Sequence, residues 1–120
     1  MDEEVERWLE KAESDYEAAE FIFKSKYLYV AAFLAQQAAE KALKALYISK
    51  KGKLRKTHEL VELARDVDAP KELIAACASI TPAYTATRYP DIADIYDKEE
   101  VRALIKSSLE VIEWVKKNLR

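Results

Sequence analysis

The chain has 120 residues with one glycine, three prolines, one cysteine and a net charge of −2 at pH 7, and half of its residues are hydrophobic. This length supports a single domain over residues 1–120, and so few turn residues exclude a β-rich fold and favour a mostly helical one. Hydropathy stays below that of a membrane span, and the acidic start is unlike a signal peptide, so we expect a cytoplasmic protein without a membrane segment. Cys77 has neither a disulfide partner nor metal-ligand spacing, and we expect no metal or cofactor.

Two long helices are predicted first. Residues 2–24 carry apolar side chains at steps of three and four, with acids in the early turns, where the helix dipole favours them. Residues 27–50 are alanine-rich and apolar over more than one face, which is typical of a central helix packed on two sides. Gly52 provides a stop signal for this second helix. The apolar stripe of the first helix comprises Val5, Trp8, Leu9, Ala12, Tyr16, Ala19 and Phe23.

Two shorter helices are predicted next. Thr57 is a good N-cap for a helix over about 58–66. Pro70 suits the first turn of a helix over about 70–80, and Pro82 should end or kink that helix.

The last part of the chain combines an irregular stretch with a long helix. Residues 82–97 contain two prolines, three tyrosines and three aspartates, and form the least regular segment. Asp97 and Glu100 have the spacing of a capping box at the start of a helix over about 98–118. The predicted fold is therefore all-α, an up-and-down bundle of four to five helices with antiparallel neighbours.

Charge is unevenly distributed along this sequence. Residues 1–20 carry nine acidic side chains against Arg7 and Lys11, whereas residues 41–58 carry seven basic side chains and no acid. A local basic patch attracts phosphates even in an acidic chain, although a lysine-rich turn that is merely solvated is the commoner case. The seven basic residues are Lys41, Lys44, Lys50, Lys51, Lys53, Arg55 and Lys56.

Polar residues interrupt the apolar second helix. Gln36 and Glu40, Gln37 and Lys41, and Glu40 and Lys44 are each four residues apart and so share a helix face. The favoured interpretation is a set of pairs within the helix, with hydrogen bonds to a neighbouring element. The alternative is a polar notch in which Lys41 and Lys44 bind the phosphate of a nucleotide or RNA.

His58 is the only histidine. At the first turn of a helix such a residue is often structural, but histidine titrates near neutral pH and also suits a general base. Sequence spacing leaves open whether the fold brings Glu40 to it. One histidine and one cysteine are a poor ligand set for a metal.

The segment Thr87-Arg88-Tyr89-Pro90-Asp91 is the second candidate site. Arginine recognises phosphate and stacks on bases, and tyrosine offers a stacking face. A local pair between Arg88 and Asp91 that stiffens the loop is the alternative, but long loops in small helical domains are more often functional. The predicted ligand-binding residues are Arg88, Tyr89 and Asp91, with Lys53, Arg55 and Lys56 nearby and Lys41 and Lys44 on the second helix.

Several segments together resemble a known family. They are the run QQAAEKALKAL at 36–46, the run THEL at 57–60, Trp8 with Asp15-Tyr16, and the closing Glu113-Trp114-Val115. This order is similar to the HEPN domain, named for higher-eukaryote and prokaryote nucleotide binding. The resemblance implies a helical bundle that forms a homodimer. It also implies, for small prokaryotic members, a minimal nucleotidyltransferase as partner, in some cases as a toxin–antitoxin pair.

Catalytic members of that family are metal-independent ribonucleases whose motif is an arginine and a histidine with four to six residues between them. Here the positions after Arg88 that would hold the histidine are Ala93, Asp94 and Ile95, and His58 precedes Arg88. The resemblance therefore implies a dimer that binds a nucleotide, an RNA or a nucleotidyltransferase without the family's ribonuclease motif. One alternative is an endoribonuclease in which Arg88 acts with His58 or with a tyrosine of the other subunit. Another is an interaction module in which the Arg88 loop is a dimer contact.

Overall fold

A computed structural model describes residues 2–89 and 96–119. The helices in these ranges are α1 (Glu3–Phe23), α2 (Leu28–Lys51), α3 (Leu60–Asp66), α4 (Lys71–Ile80), the single turn α5 (Ala83–Ala86) and α6 (Lys98–Asn118). No strand occurs in the described residues, and the predicted all-α bundle is confirmed. None of these helices combines the length and the apolar character that crossing a membrane demands.

The ends of the three long helices follow from local chemistry. The side chain of Asp2 accepts a hydrogen bond from the Glu4 N–H at 2.8 Å at the start of α1. Asp97 accepts one from the Glu100 N–H, also at 2.8 Å, at the start of α6, as the capping pattern predicted. Helix α2 ends at Gly52, whose φ of 73° is in the left-handed region and whose N–H donates to the Ile48 carbonyl.

The start of α3 differs from the prediction. Thr57 was expected to cap a helix beginning at residue 58, but its Oγ1 accepts from the Glu59 N–H at 3.1 Å and closes a local turn instead. The helix begins at Leu60, whose N–H donates to Thr81 Oγ1 at 3.3 Å. A hydroxyl at the end of α4 therefore satisfies a donor at the start of α3, which fixes the two short helices against each other.

Helix α2 is the centre of the bundle, as its composition predicted. It packs mainly against α1 and α6, and it also contacts α3 and α4. Its alanines are fully buried and keep the neighbouring helices close, and the hydroxyl of Ser108 on α6 donates to the Ala35 carbonyl at 2.8 Å. The largest fully buried side chains are Leu43, Leu46, Leu60, Leu63 and Ile80.

Candidate functional site

A buried polar network lies on α2. The side chains of Glu40 and Lys44 are only 5% and 8% exposed, and Lys44 Nζ lies 2.8 Å from Glu40 Oε2. Gln36 is fully buried and donates from Nε2 to Glu40 Oε1 at 2.9 Å. We call Gln36, Glu40 and Lys44 the Glu40 network. The intrahelical pairs expected from the four-residue spacing are present.

His58 joins this network from the segment before α3. Its Nδ1 lies 3.0 Å from Oε1 and 3.2 Å from Oε2 of Glu40, so the contact that sequence spacing left open is made. A carboxylate at Nδ1 fixes the orientation of the ring and leaves Nε2 for a ligand. The side chain is 51% exposed, which keeps it within reach of a molecule in solvent.

Glu40 is held in its ionised form. Burial by itself raises the pKa of this carboxyl, but the hydrogen bonds from Lys44 and Gln36, the charge of Lys44 and the hydrogen bond with His58 outweigh burial. The pKa of Glu40 consequently lies below its usual value. Glu40 is therefore a carboxylate that Lys44, Gln36 and His58 all contact, and these contacts hold its two oxygens in place beneath the imidazole.

Tyr84 of α5 contacts both His58 and Arg88. The His58 ring stacks on the Tyr84 ring with centroids 3.9 Å apart and an angle of 15° between the planes. Arg88 Cζ lies 4.8 Å from the centre of the same ring, within the range of a cation–π interaction. Phe33 of α2 stacks beside Tyr84 at 6.2 Å. We call His58, Tyr84 and Arg88 the Tyr84 cluster; it unites residues from two segments that are distant in sequence.

The other predicted cations divide into two groups. Three of them have carboxylate partners within the chain: Lys41 pairs with Asp15, Lys44 with Glu40, and Arg55 with Glu62 and Asp66. These pairs assign Lys41, Lys44 and Arg55 a part in holding the structure together. Lys53 and Lys56 are exposed in the segment leading to His58 and form no ion pair within residues 2–89 and 96–119.

Two further predicted residues lie in the segment after α5. Tyr89 is 53% exposed and directly follows Arg88. Asp91 lies outside the described residues, as do the positions where the family's motif histidine would fall. In the part of the chain that the structure describes, no three histidine, cysteine or acidic side chains gather in a metal-binding arrangement.

The sequence did not identify Tyr84 as a candidate site residue, although His58 and Arg88 both contact its ring. A signal was present, because Tyr84 and Arg88 are four residues apart and a helical turn places such residues on one face. Trp8 was likewise not predicted as a site residue, but as part of the apolar stripe of α1 and of the family resemblance. Its ring in fact also meets the ammonium group of Lys44 at 5.7 Å from the ring centre.

Known proteins resemble this chain in sequence and in fold. The model of the HEPN domain matches residues 5–118. The structure is similar to that of TT1696 from Thermus thermophilus, with a TM-score of 0.90, 30% identity, and coverage of 96% of this chain and 98% of that one. It is also similar to ST0689, an archaeal HEPN homologue, with a TM-score of 0.84, 28% identity, and coverage of 97% and 98%.

A more distant likeness concerns the fold alone. A HEPN domain protein from Thermotoga maritima, TM0613, has a TM-score of 0.76 at 22% identity, with coverage of 92% of this chain and 95% of that one. No curated protein matches the chain significantly.

Proposed function

Because this chain belongs to the HEPN domain family, we propose that it binds the nucleotides of single-stranded RNA at the Tyr84 cluster. The observation that carries the proposal is the gathering of a guanidinium and two aromatic rings on one exposed surface. Arginine pairs with phosphate and stacks on bases, and aromatic rings accept unstacked bases of single strands. Tyr89, next to Arg88 in the chain, and Lys53 and Lys56, in the segment before His58, are exposed and offer a further aromatic ring and two further cations.

The proposed assembly is a homodimer that acts with a nucleotidyltransferase. Domains of this family commonly form dimers. The resemblance implies, for the small prokaryotic type, a minimal nucleotidyltransferase as partner. In this proposal the pair works in the cytoplasm as a toxin and its antitoxin. Copurification of equal amounts of the two proteins from the native host supports the pairing, and recovery of the chain alone, without RNA, contradicts it.

Binding without cleavage is the primary proposal because the arginine–histidine motif of the catalytic members is missing from the sequence. A phosphate contact needs only an arginine and nearby lysines. Cleavage needs a group that takes the proton of the ribose 2′-hydroxyl.

Metal-independent cleavage is the second candidate, and the contact between His58 and Glu40 is the observation that favours it. His58 Nε2 would take the 2′-hydroxyl proton, and the 2′-oxygen would attack the adjacent phosphorus. The bond from phosphorus to the 5′-oxygen would break, and that oxygen would take a proton from solvent water while His58 returns its proton to solvent, giving a 2′,3′-cyclic phosphate and a free 5′-hydroxyl. Arg88, on the same Tyr84 ring, would neutralise the charge that develops on the phosphate oxygens.

The binding proposal is tested by fluorescence anisotropy with a labelled single-stranded RNA. We expect Arg88→Ala to weaken binding about tenfold or more, which corresponds to about 1.4 kcal/mol. Arg102→Ala, which removes an arginine that lies over Phe23 on a different surface, is the matched control and should leave affinity unchanged. Equal affinities for Arg88→Ala and the parent protein would contradict the proposal.

Salt dependence and cleavage are measured on the same samples. Lys53→Glu combined with Lys56→Glu should reduce the slope of log affinity against log salt concentration, because fewer phosphates would then be neutralised. Incubation of the RNA in EDTA, followed by denaturing gel electrophoresis, separates the two candidates. Intact RNA excludes cleavage, whereas cyclic phosphate products that disappear in His58→Ala establish it.

A further inference from the structure

A second aromatic and basic cleft lies on the α1 side of the Glu40 network. It has a volume of about 330 Å³ and is lined by Glu4, Arg7, Trp8 and Lys11 of α1 and by Lys41 of α2. We call it the Trp8 cleft. It shares no residue with the Tyr84 cluster, and its combination of an indole with three cations is the same chemistry.

The cleft contains both basic residues of an otherwise acidic part of α1. Arg7 and Lys11 are the only basic residues among residues 1–20, which carry nine acids, and both line the cleft on either side of Trp8. Their four-residue spacing places them on one face of α1. A helix that is acidic elsewhere therefore brings its two cations, together with Glu4, to the cleft that Trp8 lines.

A buried carboxylate at the cleft holds two of the three cations. Asp15, whose side chain is 7% exposed, accepts from Lys41 and lies 3.3 Å from Lys11 Nζ. Asp15 therefore shares one negative charge between two ammonium groups, and Glu4 is the carboxylate that lines the cleft beside them. Arg7 pairs only with Glu3 among the described residues, at 3.3 Å, and both of these side chains are highly exposed. Such an exposed pair is weak and exchanges readily for a phosphate.

Trp8 is held firmly enough to act as a stacking surface. One part of its ring packs against the apolar group of Val5, Ala45 and Ile48, while the ring also lines the cleft. The ammonium group of Lys44 lies 5.7 Å from the centre of the ring. Since Lys44 also pairs with Glu40, and Glu40 with His58, one buried ion pair connects the Trp8 cleft to the Tyr84 cluster.

Measured along the axis of α2, the separation of the two surfaces suits nucleotides that are three or four positions apart in one strand. Phe33, which stacks beside Tyr84, and Lys41, which lines the Trp8 cleft, are eight residues apart on α2. At a rise of about 1.5 Å per residue this is about 12 Å along the helix. At about 3.4 Å per stacked nucleotide, that distance corresponds to about three or four nucleotides.

We propose that the Trp8 cleft is a second nucleotide subsite, in which a base of the same RNA strand stacks on Trp8 while Arg7 and Lys11 hold its phosphate. This inference rests on the proposed binding of RNA at the Tyr84 cluster. In this arrangement α2 sets the distance between the two sites at which bases stack.

Tryptophan fluorescence tests the subsite directly. The chain has one other tryptophan, Trp114 on α6, so Trp114→Phe leaves Trp8 as the only indole. In this background we expect saturable quenching of Trp8 by an eight-nucleotide oligouridylate. A dinucleotide cannot reach both sites and should bind at least about tenfold more weakly, because it gains nothing from a linked second contact.

Paired variants separate a true subsite from a change in overall charge. Arg7→Ala combined with Lys11→Ala should abolish the quenching and weaken binding of the octanucleotide about tenfold. Lys98→Ala combined with Lys106→Ala removes the same charge from exposed positions on α6 and should change neither quantity. Trp8→Phe, which keeps an aromatic ring in the apolar contact, should retain most of the affinity and confirms that the fold survives at this position.

The possible outcomes distinguish this inference from the function on which it rests. RNA that binds with dependence on Arg88 but leaves Trp8 emission unchanged overturns the subsite and leaves the Tyr84 cluster in place. Quenching that survives at unchanged affinity in the Arg7 and Lys11 variant also overturns it. If Arg88→Ala binds the octanucleotide only as tightly as the parent protein binds the dinucleotide, but Trp8 emission is still quenched, the subsite is supported as an independent contact. An absence of any RNA binding overturns both proposals.

Discussion

Replacement of Glu40 by glutamine tests whether the buried network stabilises the fold. Glu40 and Lys44 are 5% and 8% exposed, and the carboxylate also contacts Gln36 and His58. Glu40→Gln keeps the size of the side chain and an acceptor oxygen but removes the charge. Lys44 is then a buried ammonium group without an ionised partner.

The expected loss follows from the burial of that ammonium group. Breaking a buried ion pair by removing one partner destabilises a protein by about 3–5 kcal/mol. The low end applies here, about 3 kcal/mol, because the amide oxygen still accepts from Lys44. For a domain of this size that loss lowers the melting temperature by about 12 °C.

The loss should depend on pH in a definite direction. Burial opposes ionisation of Glu40, but its hydrogen bonds and the charge of Lys44 lower its pKa below the ordinary 4.5. A carboxyl whose pKa is lowered on folding contributes stability that is fully present above its unfolded pKa. That contribution is lost as the pH falls through the lower folded pKa. The difference between the parent protein and Glu40→Gln should therefore be constant above about pH 5 and shrink below about pH 4.5.

Urea denaturation at a series of pH values measures this difference. Glu10→Gln removes an exposed carboxylate from α1 and serves as the control, with an expected change within about 0.5 kcal/mol. The double variant Glu40→Gln with Lys44→Met removes both charges and should recover most of the loss. A loss below about 1 kcal/mol for Glu40→Gln, or one that does not change below about pH 4.5, would refute this account of the network.

Three further predictions concern single positions. Gly52→Ala should destabilise the protein by about 1 kcal/mol in urea denaturation, because φ is 73° there although no atom lies within 4 Å of an added Cβ; Gly52→Asn should be milder. Asp97→Ala should cost about 1 kcal/mol through loss of the bond from the Glu100 N–H, and Asp97→Asn should restore it. Burial raises the pKa of Cys77 to about 12, so the thiol should not react with a disulfide reagent at about pH 8 until the protein unfolds. Because the folded state holds this proton more tightly, stability should fall as pH rises from the ordinary 9.0 toward 12, and less steeply in Cys77→Ala.

Sequence periodicity was sufficient for the long helices because their signals are local. Predicted bounds of 2–24 and 27–50 compare with Glu3–Phe23 and Leu28–Lys51, and the last helix was predicted at the bounds observed. Caps at Asp97 and Gly52 depend on a few neighbouring residues, so both were found. The start of α3 was missed because its N–H partner is Thr81, a residue of another helix that no local pattern indicates.

The candidate site was only partly predictable for a related reason. Arg88, His58 and the polar residues of α2 were each identified as candidates, but their relation depends on contacts between distant segments. Eighteen residues separate Glu40 from His58, and the contact arises because α2 ends at Gly52 and the chain returns to α3 along it. Tyr84, through which His58 and Arg88 are related, lies on a single helical turn within the stretch expected to be irregular.

Contacts between buried carboxylates and basic side chains account for part of the uneven charge distribution along the sequence. Two buried carboxylates, Asp15 on α1 and Glu40 on α2, each contact two basic side chains: Lys11 and Lys41 for the first, Lys44 and His58 for the second. The carboxylates lie inside and anchor the basic groups. Of these four basic groups, Lys11 and His58 reach the surface, with 61% and 51% of their side chains exposed, whereas Lys41 and Lys44 are largely buried. In the proposed binding of RNA, the two exposed groups are the ones that would meet the anionic ligand. Substitutions that neutralise the buried carboxylates should therefore weaken RNA binding indirectly, by releasing the cations from fixed positions.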